Sequence, residues 1–397
     1  MHLRSRNREA VLAFAAAAFE ARPLPTVRDW DSLLKEAHSH RLVPLASRLL
    51  ADSACPDDVK QTFRRGALAW AARSLQLERE LTAVLSEFEA AGIEALVLKG
   101  PALARSIYPQ ASLRPYADLD LLVHEEDWVA THRAMLALGF VPTEPLMAPP
   151  PKVWARKAYY HMQYDRGAVG ARVEVHYDLW WYGLRLRDGE AVWRRAVPVV
   201  IQGHQAMMVS PEDQIVHLAV HAHHHAYSHL IWLTDLALWL RRDGIDWERV
   251  VSTARSEGVS LLVYYSLLYV QRLLGVLAPF AVMNRLRPAR IQMWVHDRLW
   301  PPDAILGLKV NDRVLADFQE IPEGQELILN FILTGRRWEK LIYLTRLLVP
   351  SPEWLRYFYR TGRLSFPQRA LYAPKLIARV VRDLGQAARH GLVRRPL

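Results

Sequence analysis

Asp118 and Asp120 stand two residues apart in the run Asp118-Leu-Asp-Leu-Leu-Val123. The alternation predicts a strand, and a period of two puts both carboxylates on one face with Leu119 and Leu121 pointing into the core. Carboxylates about 6–7 Å apart along a strand can converge on hard cations. Such cations bridge the phosphates of a nucleoside triphosphate and stabilise in-line displacement at phosphorus. A bare Asp-x-Asp is weak evidence, because solvated strand faces carry such pairs too. Its surroundings add weight. Upstream, Leu98-Lys-Gly-Pro101 reads as a strand-to-helix junction. There Gly100 lets the backbone approach a ligand, the helix start offers free N–H groups to phosphate, and Lys99 adds an ammonium. Downstream, Arg172-Val-Glu-Val-His-Tyr177 alternates as well, with Glu174 and His176 sharing the face opposite the valines. An acid there can complete a metal site or accept a proton from an attacking hydroxyl. A plain turn with an exposed lysine and a strand with one solvated face are the bland readings of these two segments.

The elements that must hold these residues follow from periodicity. Residues 7–92 read as helices, with Leu77, Leu81, Val84 and Phe88 at helical spacing. Strands are expected at 93–98, 118–123, 159–165 and 171–176, and helices at 101–107 and 125–138, with a Pro-rich loop at 143–151. Ser210-Pro-Glu-Asp213 is a strong helix start, Ser as N-cap and Pro in the first turn. Helices at 235–241, 247–257 and 261–274 follow, then a less regular stretch, about 285–330, with room for a short strand. The expected organisation is a helical region over 1–91, an α/β core over 92–209, a helical region over 210–284 that closes the cleft, and a basic, mostly helical region over 285–397.

Composition bounds the setting. The chain has 397 residues, 51% of them hydrophobic, enough for more than one core. Mean hydropathy is −0.04 and no long uncharged apolar run occurs, which argues against a membrane span. Arg4, Arg6 and Arg8 precede an apolar run that superficially resembles a signal peptide, but Glu9 and Glu20 bracket it and helical sequence continues beyond. Cys55 is the single cysteine, so no internal disulfide forms, and a cytoplasmic location is expected. The net charge of +10 favours polyanions without choosing among them. Residues 351–397 hold ten Lys or Arg against Glu353 and Asp383. With aromatics interleaved, that tail can contact RNA or another polyanion, or be a solvated amphipathic face.

His217, His221 and His225 recur at every fourth position of the predicted helix. The pattern suits a zinc site, a helix closing over an acidic phosphate cleft, or helix packing. Asp235 reads as a helix cap. Trp180, Trp181 and Tyr182 can stack on a base or fill the core.

Taken together, Leu96-Val-Leu-Lys-Gly-Pro-Ala-Leu-Ala-Arg-Ser-Ile-Tyr108, Arg114 and Asp118-Leu-Asp-Leu-Leu-Val123 resemble the uncharacterised nucleotidyltransferase family of bacteria, within the polymerase-beta-like superfamily. Glu174-Val-His176, His217-Leu-Ala-Val-His221 and Trp232-Leu-Thr-Asp235 resemble its later segments, over roughly 70–270 in all. The resemblance implies an α+β fold, a small mixed sheet with helices, flanked by helical N- and C-terminal regions. It implies transfer of a nucleoside monophosphate from an NTP, with ATP the expected one, to an unidentified acceptor, with Mg²⁺ or alternatively Mn²⁺ and release of pyrophosphate. Asp118, Asp120 and Glu174 would be the metal and catalytic residues. Lys99, Gly100 and Arg114 would face the triphosphate. His176, His217, His221 and Asp235 would line the cleft or the acceptor site. The chain departs from the superfamily at Gly100-Pro101, where Gly-Gly or Gly-Ser is usual, so the serine hydroxyl that would hold a phosphate is missing. The rival expectation is a non-catalytic nucleotide- or RNA-binding module that keeps the fold.

Overall fold

The computed structural model describes residues 2–143, 161–167, 170–179, 188–225 and 227–299, with parts of 348–382. The Pro-rich loop beyond 143, Trp180, Trp181, Tyr182 and most of the basic tail fall outside them.

Helices α1 (His2–Ala16), α2 (Trp30–Ser39), α3 (Val43–Ala51) and α4 (Asp57–Ala90) form the N-terminal region. On α4, Leu77, Leu81, Val84 and Phe88 are all buried, as their spacing predicts. Strand β1 (Ala95–Leu98) leads directly into α5 (Lys99–Ser106). After a short 3-10 turn comes β2 (Leu119–Val123), then α6 (Trp128–Ala137), β3 (Val141–Pro142), β4 (His161–Asp165) and β5 (Arg172–His176). Asp118 thus lies just before β2 rather than within it.

The sheet also contains three strands that the sequence reading did not anticipate, the short β3 and a hairpin of two more. Helix α7 (Gly189–Arg194) precedes β6 (Val197–Ile201) and β7 (His204–Met208), which pair through a turn at Gln202-Gly203. Both turn residues have positive φ, +51° and +81°, the mirror-image turn that suits a two-residue hairpin. The seven strands run in the order β3-β4-β5-β2-β1-β7-β6. The sheet is mixed: β1 is antiparallel to β2 and parallel to β7, and β2 is parallel to β5.

Helix α8 (Pro211–His224) starts as predicted, with the Ser210 hydroxyl accepting from the Asp213 N–H and Pro211 in the first turn. It is followed by α9 (Leu230–Leu240), α10 (Trp247–Ser256), α11 (Ser260–Tyr269), α12 (Phe280–Leu286) and α13 (Arg290–Leu299). Three expectations need correction. Asp235 is not a cap: α9 begins at Leu230, because an unbroken apolar run surrounds Asp235 and buries it mid-helix. His225 lies past the end of α8 rather than on it. Residues 290–299 are helical where an irregular stretch was expected. A continuous hydrophobic cluster extends from Ala10 on α1 to Leu286 on α12, joining the sheet to both helical regions. No helix among the described residues is long and apolar enough to cross a membrane.

Candidate active site

Strand register assembles the centre. In the parallel β2–β5 pair, Asp120 lies opposite Glu174 and Leu122 opposite His176. In the antiparallel β4–β5 pair, Gln163 lies opposite Glu174 and His161 opposite His176. Asp120 also pairs with Leu98, the last residue of β1, so Lys99 emerges beside it. The opposite face carries Leu119, Leu121, Val173 and Val175, all fully buried. One sheet face is therefore hydrocarbon, and the other gathers carboxylates, imidazoles and an ammonium.

Asp120 is the hub. Lys99 Nζ lies 2.6 Å from its Oδ1, and His176 Nε2 lies 3.0 Å from the same oxygen. Asp120 and His176 are almost wholly buried. Burial alone would raise the Asp120 pKa, but the Lys99 charge and the His176 hydrogen bond outweigh it and hold the carboxyl well below its ordinary value. Lys99 stays charged by the reciprocal argument: burial opposes its charge, and Asp120, Glu174 and Asp118 outweigh burial. Burial keeps His176 neutral, so its Nε2–H donates to Asp120. Glu174 is pushed the other way, up to about 8, by burial first and then by the Asp120 charge. Its Oε2 lies 3.7 Å from His176 Nε2 and 3.9 Å from His161 Nε2.

Asp120, Glu174 and His176 each offer one ligand atom, and the three atoms lie within 4.8 Å of one another. Two carboxylate oxygens and one imidazole nitrogen suit a hard or borderline divalent cation. Burial and the Asp120 charge together keep Glu174 protonated, and such a cation would offset both. The donor set therefore fits a divalent cation and does not by itself select one. Asp118 is partly exposed and stands outside this tight group, although its charge acts on Lys99, Glu174 and His176.

The other anticipated residues are placed as follows. Gly100 is buried in α5, and a Cβ there would meet the Tyr116 ring at 3.0 Å, so its missing side chain serves packing against Tyr116. Arg114 and Asp235 come together with each other: Nη2 to Oδ2 is 2.7 Å and Nε to Oδ1 is 3.3 Å. Tyr108 donates to the same carboxylate at 2.6 Å. Both charges are buried, so the pair ties the loop before β2 to α9, and the Arg114 guanidinium is already taken. His217 and His221 on α8 lie within reach of the Lys99 charge: burial, then that charge, lowers both imidazoles, His217 to about 3, so both rings are neutral. Trp232 on α9 sits among His221, His225 and His229, with ring centroids 4.7 to 5.2 Å away. Among the described residues, the one group arranged to hold a metal is that of Asp120, Glu174 and His176, not a set of the α8 histidines.

Sequence reasoning missed two residues. His161 reaches the centre through β4–β5 register, which alternation within β4 alone does not reveal. Arg41, between α2 and α3, is half-buried, and its charge acts on Asp118 and Asp120. Nothing local to its segment points to that cleft.

A profile of the uncharacterised nucleotidyltransferase family matches residues 26–275, which takes in α2 through the sheet to α11. No curated protein and no solved structure matches the chain.

Proposed function

The chain belongs to the uncharacterised nucleotidyltransferase family, and from that premise we propose that it moves a nucleoside monophosphate from an NTP to an acceptor and releases pyrophosphate. The observation that carries this reading is the convergence of Asp120, Glu174, His176 and Lys99 on one polar sheet face. Asp120, Glu174 and His176, with Asp118 nearby, are the residues that would hold Mg²⁺ or Mn²⁺. Such an ion, when bound, neutralises phosphate oxygens and polarises the α-phosphorus. Lys99 would exchange its contact with Asp120 for a phosphate oxygen and offset charge on the departing pyrophosphate. Glu174, with its pKa near 8, would give up its proton on entering the metal site, and we assign it the ligand role. In the alternative role it would take the proton of the acceptor hydroxyl as that oxygen bonds to phosphorus. His217, His221 and Trp232 would border the acceptor. ATP is the expected donor, and the acceptor is a group bearing a nucleophilic oxygen or nitrogen.

Calorimetric titration of Mg²⁺ with each of the four NTPs into wild-type protein and Glu174→Gln tests this. Weakened metal and nucleotide binding in Glu174→Gln supports the ligand role. Intact binding with transfer slowed about 10²–10⁴-fold supports the base role. Normal binding with normal transfer removes Glu174 from the centre.

A further inference from the structure

The turn after α2 carries an arginine where glycine is usual. Arg41 N–H donates to His38 O at 3.0 Å and Leu42 N–H donates to Ala37 O at 2.7 Å, the paired bonds of a Schellman motif. Its left-handed position is Arg41 itself, with φ +58°. A side chain there crowds the following carbonyl oxygen, which is why glycine normally fills it. Lys99 also has a left-handed backbone, at φ +42°. Two cations that act on the same carboxylates thus both sit in sparsely populated conformations, and such conformations gather at functional sites.

The turn is held against the start of α9. His229 Nδ1 lies 2.6 Å from Ser39 O. Burial disfavours the Arg41 charge and Arg114 opposes it, while Asp118, Asp120 and Asp235 favour it; Arg41 in turn acts on the His225 and His229 imidazoles. Lys99 is paired with Asp120 and Arg114 with Asp235. Arg41, among the described residues, forms no ion pair. A half-buried guanidinium offers a fork of N–H donors that suits the oxygens of a phosphate. We propose that Arg41 binds the polyphosphate tail of the nucleotide, so that the N-terminal helical region supplies the second phosphate-binding cation beside Lys99. This rests on the nucleotidyl-transfer reading above and adds to it a contact from outside the sheet.

The probe is magnesium tripolyphosphate, the part common to every NTP, titrated by calorimetry into wild-type protein, Arg41→Gly, Arg41→Asn and Glu174→Gln. Gly and Asn both tolerate the left-handed position, so each variant should melt no lower than wild type. Both should bind about 10- to 100-fold more weakly, the range of a charge-assisted hydrogen bond. Binding within twofold of wild type in Arg41→Gly and Arg41→Asn, with Glu174→Gln weakened, overturns the role of Arg41 and leaves the functional reading standing. Absence of saturable binding of tripolyphosphate and of all four NTPs by wild-type protein overturns the functional reading and this inference with it.

Discussion

Adjacent carboxylates in one sheet row are driven in opposite directions. Lys99 and His176 keep Asp120 ionised, and burial beside Asp120 keeps Glu174 protonated up to about pH 8. A metal site built on Glu174 must expel that proton, so Mg²⁺ affinity is expected to rise by up to about tenfold per pH unit between about pH 6 and 8, then level off. Titrations in buffers of different ionisation enthalpy should show proton release below pH 8. Affinity independent of pH would place Glu174 outside the metal site. Asp120 also makes the obvious knockout a poor probe. Asp120→Asn leaves the buried Lys99 without its nearest partner, and the expected cost is about 3–5 kcal/mol of stability, read from denaturant unfolding. Glu174→Gln imitates the protonated form already present near neutral pH and should fold normally. Unfolding midpoints in the reverse order would contradict this electrostatic assignment.

At the scale of elements, the Arg114–Asp235–Tyr108 group joins the loop before β2 to α9 across the interior. Asp235→Asn removes one partner of a buried ion pair and should destabilise by about 3–5 kcal/mol. A loss under about 1 kcal/mol in urea unfolding would show that the pair is dispensable. The resemblance implied a site role for Arg114 and Asp235, and Asp235 by itself read as a helix cap; that they partner each other was not legible, because periodicity carries no information on contacts between distant segments. Alternation marked β2 and β5 and put Glu174 and His176 on one face of their strand and Asp118 and Asp120 on one face of theirs; that the two faces adjoin was implied by the resemblance and follows from the β2–β5 register. Alternation also placed Asp118 inside the strand, whereas β2 starts at Leu119 and Asp118 sits at the rim. Gly100 was recognised as a close approach, but its neighbour is the Tyr116 ring. The β6–β7 hairpin escaped notice, although Val197-Pro-Val-Val-Ile201 followed by Gln202-Gly203 carries a strand-and-turn signal. His161 and Arg41 depend on register and tertiary packing, and neither is encoded locally.

Across the whole molecule, buried neutral histidines set the response to acid. His40 is lowered to about 4, and His217 and His296 to about 3, each chiefly by burial. The unfolded chain binds protons at these positions below about pH 6.5 while the folded chain does not, so their contribution is lost as pH falls. Together they remove about 4 kcal/mol per pH unit between about pH 6.5 and 4, against a usual total of about 5–15 kcal/mol. Glu174 acts in the opposite sense between about pH 4.5 and 8, as a single group. Cooperative unfolding above pH 4, followed by circular dichroism, is expected, and a native spectrum retained at pH 4 would contradict it. Nucleotidyl transfer at the polar sheet face is tested most directly by incubating wild-type protein and Glu174→Gln with each of four α-labelled NTPs, Mg²⁺ and cell extract, followed by mass spectrometry of what becomes labelled. Wild-type protein is expected to transfer one nucleoside monophosphate to a discrete acceptor in a metal-dependent way, and Glu174→Gln to lose this transfer or slow it strongly. Tight NTP binding with no label transferred from any of the four would contradict it and mark the chain as a binding module.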